Sequence, residues 1–483
     1  MSQPDELLFG LHDNPPLSTS LVAAFQHLLA SFIAVVTPTL IICGALSLES
    51  YMPYLVSMAL FSSGIGTYIQ TRRIGPVGSG LVAIQGTSFA FIAALLAAGT
   101  AVRARGGNDD DILAMMFGIS LFGALVEVFL SQCLHWVRRI ITPLTSGIVI
   151  TAIGLSLIKV GMTDLAGGFH ASDMGSTTNM LLGLAVLFTI IFLNACHSRW
   201  LRLTSIMTGM LAGTLFALFN GMITMPAGES SWLSFPVPFR YGLSFDWALF
   251  IPVALIYLFS AIETAGDLTA NSLFCREPID GPVYMRRLKG GILADGVNSM
   301  IAATLNSFPN TTFGQNNGVI QMTGIASRKV GYWVAAMFLL LGCFPVIGTT
   351  LQLIPKPVLG GATLMMFSMV TVGGIKILMS TAMDRRSSLI IASSLGLGIG
   401  VLLQPAATTG LPDWLTTIFA SPITVAGITA IFLELLLPSA PDKTNKQHLA
   451  TKASTNAPVA NKEVKKPSPK HQASAAKIER SFS

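Results

Sequence analysis

The sequence predicts an all-α polytopic membrane protein with fourteen transmembrane segments in two inverted repeats of seven, the third and tenth segments broken by short extended strands. Three observations carry this. The 483 residues are 52% hydrophobic and only 11% charged, where a soluble globular chain is about 25% charged. Apolar stretches recur with turn or charge breaks between them. Two of those stretches are too polar and too interrupted to be ordinary spans.

The spans fall at 20–46, 51–70, 78–100, 111–134, 140–160, 178–196, 203–225, 246–271, 288–306, 311–327, 330–354, 357–379, 387–404 and 416–437. With the N-terminus inside, the loops on that side hold fifteen Lys/Arg and the opposite loops five, which fits the positive-inside rule. An even number of spans puts both termini in the cytoplasm. The start M-S-Q-P-D-E has no basic n-region and no cleavable apolar run, so the first span itself drives insertion.

Four regions follow: a cytoplasmic segment at 1–19, a first repeat at 20–225 (spans 1–7), a second at 246–437 (spans 8–14), and a tail at 441–483. The tail is rich in Lys, Ser, Ala and Pro without apolar periodicity, and reads as a disordered basic cytoplasmic segment. It carries nine Lys/Arg against three Asp/Glu, which is the whole of the formal net charge of +6. The basic balance therefore gives no reason to expect nucleic acid. Five scattered cysteines, without Cys-x-x-Cys or Cys/His spacing, suggest neither a disulfide framework nor a metal site.

The tenth span, F-P-N-T-T-F-G-Q-N-N-G-V-I-Q-M-T-G-I-A-S-R from Phe308, holds about eleven residues of helix after Gln315, roughly 16 Å against about 30 Å of hydrocarbon. Broken backbone at that depth is tolerated where it lines a cavity, and half-helices of transporters aim their positive N-termini at the substrate. The third span is interrupted at Gln85-Gly86-Thr87-Ser88. Thr87-Ser88-Phe89 echoes Thr311-Thr312-Phe313, and Pro143-x-x-x-Gly147 echoes Pro357-x-x-x-Gly361. The offsets agree with a seven-span repeat, and an odd number of spans inverts the second copy.

Ionisable residues inside the membrane are functional candidates. Glu263 and Asp267, at i and i+4 on the eighth span, share a helix face. Such a pair suits a proton carrier and can accept hydrogen bonds from a substrate N–H. Asp295 either carries a proton or bonds the backbone of the broken tenth span. His27 is a packing residue or a proton group. Glu127 and Glu434, without a nearby Gly break or polar partner, read as interface, oligomer or helix-packing groups. The amides Gln315, Asn316 and Asn317 both donate and accept, which suits a planar heterocycle, although one of the asparagines is expected to cap the half-helix. Phe89 and Gly314 would contribute free backbone groups.

At these residues the chain resembles the nucleobase–ascorbate transporter family. The family signature, Gln/Glu/Pro-Asn-x-Gly-x-x-x-x-Thr-Arg/Lys/Gly, stands here as Gln315-Asn316-Asn317-Gly318-Val319-Ile320-Gln321-Met322-Thr323-Gly324. The resemblance runs from about residue 6 to 438, through P-V-G-S-G-L at Pro76, R-R-I-I-T-P at Arg138 and E-T-A-G-D at Glu263. It is closest to xanthine-transporting bacterial members.

That resemblance implies a core domain (spans 1–4 and 8–11), a gate domain (spans 5–7 and 12–14), a homodimer, and an elevator-like movement of core against gate. It also implies proton-coupled import of xanthine across the inner membrane, with the proton as coupling ion and no cofactor. Glu263 and Gln315 would grip the purine, with the backbones of Phe89 and Gly314 helping. Asn316 would affect affinity, and Asp295 and His27 would matter for function or stability. Ser88 replaces the Asn of some xanthine-transporting members, which leaves urate or another nucleobase open. An anion exchanger or channel of the same architecture is a rival that acidic Glu263 argues against. No nucleotide-binding glycine loop, metal cluster or Ser/His/Asp arrangement suggests an enzyme.

Overall fold

A computed structural model describes residues 7–134, 142–168, 171–223, 232–408, 410–411, 419 and 421–438, and the side chains of Arg199, Leu203, Gln315 and Met322 fall outside that description. The basic tail at 441–483 also lies outside the described residues. Fourteen principal helices follow in order: α1 Leu17–Ala45, α2 Met52–Arg72, α3 Ile92–Ala104, α4 Asp109–Gln132, α5 Pro143–Leu165, α6 Thr177–Ala195, α7 Ser205–Phe219, α8 Trp247–Phe274, α9 Gly281–Thr304, α10 Gln315–Thr323, α11 Arg328–Gly342, α12 Lys356–Met379, α13 Arg385–Leu403 and α14 Pro422–Leu436. Two three-residue strands precede the short helices: β1 Gln85–Thr87 before α3, and β2 Asn310–Thr312 before α10.

Among the described residues, seven helices (α1, α4, α5, α6, α8, α12 and α13) are each long and apolar enough to cross a bilayer alone. The others are shorter or more polar. The half-helix α10 has nine residues where the sequence suggests about eleven, because Gly324 turns left-handed at φ 69° and ends it. The eleventh span, expected as one segment over 330–354, is broken: α11 and the helical turn Val346–Gln352 are bent by 78° around Cys343-Phe344-Pro345. Proline lacks the N–H needed to continue the helix. The ninth helix starts at Gly281, several residues before the apolar run that marks it in the sequence, with Pro282 in its first turn.

Helix starts are written into the chain. Asn108 and Asp111 form a reciprocal capping box on α4, as Thr142 and Thr145 do on α5. Asp246 caps α8 through the N–H groups of Ala248 and Leu249, and the Arg105 guanidinium bound to it at 2.8 Å holds its carboxyl below the usual range.

Packing repeats with two-fold logic. When α1–α7 are matched to α8–α14, the close pair α2 with α11 becomes α9 with α4. In the same way α1–α11 becomes α8–α4, and α6–α7 becomes α13–α14. All these pairs are in contact. The helices gather into two groups, α1–α4 with α8–α11 and α5–α7 with α12–α14, the core and gate arrangement. The strands pair antiparallel, Gln85 opposite Thr312, Gly86 opposite Thr311 and Thr87 opposite Asn310. Equivalent strands related by an in-plane two-fold axis must run this way, so the crossing marks the axis of the inverted repeat.

The gate is held by its own two equivalent helices. Gly147, Gly154 and Gly161, seven residues apart on α5, lie against Leu378, Thr371 and Leu364, seven apart in the reverse direction on α12. Small residues at heptad spacing bring the antiparallel backbones close, the usual source of helix association in lipid. A Cβ at Gly154 would press on the Thr371 backbone. Gly154→Leu is therefore expected to cost about 1–3 kcal/mol by overpacking. It should lower the melting temperature of the detergent-solubilised protein by several degrees; an unchanged melt would refute this packing account.

Candidate substrate site at the strand crossing

Each strand feeds a helix N-terminus. After β1, Ser88 stays extended and Phe89-Ala90-Phe91 makes one tight turn before α3. After β2, Phe313-Gly314 leads into α10. Neither the turn at Phe89 nor α10 carries a side-chain cap. The positive dipole ends of both half-helices therefore meet near the crossing, with Asp267 of α8 set against the Gly314 backbone at the start of α10.

Two three-residue strands cannot hold themselves together, and the side chain that fixes them is Asp295 on α9. Its carboxylate is fully buried. Oδ1 accepts from Gln70 Nε2 at 2.8 Å, Gln85 Nε2 at 2.7 Å and Thr312 Oγ1 at 3.0 Å. Oδ2 accepts from the Thr312 amide at 3.0 Å, from Thr311 Oγ1 at 3.3 Å and from the Thr264 hydroxyl. Gln70 comes from α2, Gln85 from β1 and Thr264 from α8. Three of the donors, two amide NH2 groups and a backbone N–H, have no acceptor role to offer at these atoms, so the pocket suits an anion.

Glu263 stands apart from this network. It is half-buried on α8, and among the described residues it makes no hydrogen bond or ion pair; Oε2 is buried without a partner. Asp267, one turn further on, lies against Gly314 where a Cβ would sit, so only glycine admits the carboxylate there. Thus α8 presents an uncommitted carboxyl and a second one seated at the start of α10.

The asparagines brace the half-helix. Asn316 Nδ2 donates to His27 Nδ1 at 3.1 Å and to the His27 carbonyl at 3.3 Å, tying α10 to α1. Asn317 donates to the Asp267 carbonyl at 3.1 Å and accepts from Asn271 at 2.8 Å, while Asn271 also donates to the Val82 carbonyl at 2.9 Å. Gln315 opens α10, but its side chain lies outside the described residues. Ser88 is buried beside the crossing, its amide bonded to the Pro309 carbonyl at 2.8 Å. Phe89 faces the gate: its ring meets Phe367 of α12 edge to face, centroids 5.3 Å apart.

The crossing thus brings together Ser88, Phe89, Glu263, Asp267, Asp295, Gly314 and Asn316, with His27 behind Asn316. Sequence reasoning missed Gln70, Thr264 and Phe367 as neighbours. Gln70 had a faint signal, the polar run S-S-G-I-G-T-Y-I-Q-T in an otherwise apolar span.

Helices packed through glycine seams in two inverted halves, with paired half-helices meeting at the core's centre, define a membrane transporter. A family model described as a permease family, Xan_ur_permease, matches residues 18–407. The chain belongs to this nucleobase–ascorbate transporter family and is a permease, not an enzyme. It is 46% identical to xanthine permease XanP of Escherichia coli over 90% of this chain and 96% of that protein. It is 45% identical to xanthine permease XanQ of the same organism, over 90% and 94%. Nucleobase transporter PlUacP of Paenibacillus larvae is 31% identical, over 89% and 97%.

Among solved structures, the transmembrane domain of a cyanobacterial bicarbonate transporter, BicA, superposes with TM-score 0.58 at 13% identity, over 86% of this chain and all 100% of that one. Murine Slc26a9, an anion transporter, gives 0.61 at 12% identity, over 88% and 69%. At such identities the likeness is of fold.

Replacing Asp295 by Asn would turn one acceptor oxygen into a donor, facing either the Gln70 and Gln85 amides or the Thr312 amide. Each buried donor left unsatisfied costs about 1–3 kcal/mol. Asp295→Asn is expected to lower the melting temperature and to abolish substrate binding together, as read by a thermal-shift titration. Binding lost at an unchanged melting temperature would instead place Asp295 in direct contact with substrate.

Proposed function

We propose that this protein imports xanthine together with protons across a bacterial inner membrane, both of its termini cytoplasmic. The observation that carries the reading is Glu263: a half-buried carboxyl without a partner, beside the N-termini of two half-helices, in a chain 46% identical to a xanthine permease. A purine such as xanthine offers ring N–H groups to a carboxylate and carbonyl oxygens to backbone N–H groups. Glu263 accepts from the first, the backbones of Phe89 and Gly314 meet the second, and Gln315 pairs with an amide edge of the ring. Asn316, braced by His27, sets the position of α10, and Asp267 holds its N-terminus.

Proton coupling follows from the same carboxyl. Symport requires that protonated and deprotonated states bind xanthine with different affinities. Glu263 is placed to be both the proton carrier and a ligand of the purine, with the proton as the coupling ion and no cofactor. The core then slides against the gate, across contacts such as Phe89 with Phe367, as an elevator. The outward apolar faces of α6, α7 and α13, including Phe188, Phe192, Phe216, Phe219 and Leu397, lie in lipid or against the second subunit of a homodimer.

One observation favours a second substrate reading. Ser88 is small and buried at the crossing, where a bulkier side chain would crowd a purine more, and urate differs from xanthine by one additional oxygen.

Two measurements test the assignment in cells lacking their own purine permeases. Wild-type protein should concentrate radiolabelled xanthine, a protonophore should abolish the accumulation, and excess unlabelled xanthine should compete better than urate, hypoxanthine or uracil. Stronger competition by urate would move the substrate to urate. Glu263→Gln should lose accumulation by about a hundredfold or more, the low end for a group that transfers a proton. Wild-type accumulation in that variant would remove Glu263 from the mechanism.

A further inference from the structure

The sequence offers Glu127 as an interface or packing group, yet the structure puts it at 0% exposure inside the core, on α4 where that helix meets α8 and α9. Around it α4 and α9 are in close contact, since Gly296 leaves no room for a Cβ between Ala124 and Val128. Among the described residues neither oxygen of Glu127 has a hydrogen-bond partner, and the Ser260 hydroxyl of α8 lies beside them. The Tyr257 hydroxyl, which also faces it, donates to the Ser120 carbonyl at 2.9 Å and is committed there. The other ionisable groups in electrostatic range are acids, Asp295 and Glu263. A buried carboxyl with no cation near it is costly to ionise.

From Glu127 a line of hydroxyls leads to the strand crossing. Ser260 Oγ donates to Thr311 Oγ1 at 3.3 Å, and Thr311 Oγ1 donates to Asp295 Oδ2 at 3.3 Å. Both donors point from Glu127 toward Asp295. The two carboxyls at the ends of the line are opposites: Asp295 accepts from donors on four elements, and Glu127, among the described residues, has only the Ser260 hydroxyl beside it and no formed hydrogen bond.

We propose that Glu127 is a second proton-holding group of the transport cycle, exchanging its proton with Asp295 through Ser260 and Thr311. This rests on the proton-symport reading above. In the transfer the Glu127 carboxyl proton passes to Ser260 Oγ, the Ser260 proton to Thr311 Oγ1, and the Thr311 proton to Asp295 Oδ2. Each hydroxyl gives up one proton and gains one, and the negative charge moves from Asp295 to Glu127. A proton on Oδ2 leaves Gln70 and Gln85 bonded to Oδ1 but weakens the bond from the Thr312 amide, so its arrival loosens the hold of Asp295 on β2 at the crossing that forms the substrate site. Glu127 is thereby a positioning residue, acting on substrate through Asp295.

The test uses the purified full chain in proteoliposomes, with a trapped pH dye for proton influx and radiolabelled xanthine for counterflow. Glutamine is a neutral isostere of a protonated glutamate but cannot release a proton. In Glu127→Gln, xanthine-driven proton influx should fall at least about tenfold while counterflow, which needs no deprotonation, keeps its wild-type rate and KM; Glu127→Asp should restore part of the influx. Influx per xanthine equal to wild type in Glu127→Gln would make Glu127 a permanently protonated packing group and overturn the proposal alone. Xanthine uptake without proton influx in wild type would instead overturn the symport reading and this inference with it. Should the Gln variant fail to fold, Ser260→Ala removes only the relay hydroxyl. Influx falling more than counterflow supports the relay, and equal rates of both to wild type refute it.

Discussion

A buried carboxylate holds the centre of this molecule. Two strands of three residues have too few ladder bonds to persist, and in the middle of a membrane there is no water to satisfy what they leave open. Asp295 supplies what is missing by drawing donors from α2, β1, β2 and α8 onto one anion. Hydrogen bonds to a charged group contribute about 1.5–3 kcal/mol each, roughly twice a neutral one. Remove this convergence and the two half-helices lose the hinge that aims them at each other.

The inverted repeat makes that arrangement economical. One broken span gives one helix N-terminus at membrane depth, and the pseudo-two-fold axis delivers a second from the opposite side. The antiparallel register of β1 and β2 is the local expression of the same symmetry. Symmetry is then broken where chemistry needs it. α8 carries Glu263 and Asp267 beside α10, whereas its counterpart α1 carries His27, which is occupied in holding Asn316. Behind the crossing, α5 and α12 pack through their glycine seam as a rigid wall that meets the core at aromatic contacts such as Phe89 with Phe367.

Much of this was legible in the chain. Composition and hydropathy mark the spans, the Thr87-Ser88-Phe89 and Thr311-Thr312-Phe313 echo marks both breaks, and spacing places Glu263 and Asp267 on one face. Heptad glycines at 147, 154 and 161 were visible but had no assigned partner. What stayed hidden is long-range. Gln70 and Gln85 lie 225 and 210 residues from the carboxylate they bind, and no local pattern ties them to it. Glu127 has apolar neighbours in sequence, and the hydroxyl beside it comes from another helix. The break at Pro345 was concealed by apolar residues on both sides, which read as one long span.

The central claim is that substrate sits at the strand crossing, between Glu263 and the two half-helix N-termini. A cryo-EM structure of the protein in nanodiscs with saturating xanthine tests it most directly. Density for the purine beside Glu263, within hydrogen-bonding reach of the Phe89 and Gly314 backbones, is the result expected. Ordered xanthine elsewhere, with Glu263 still unpartnered, would contradict the account.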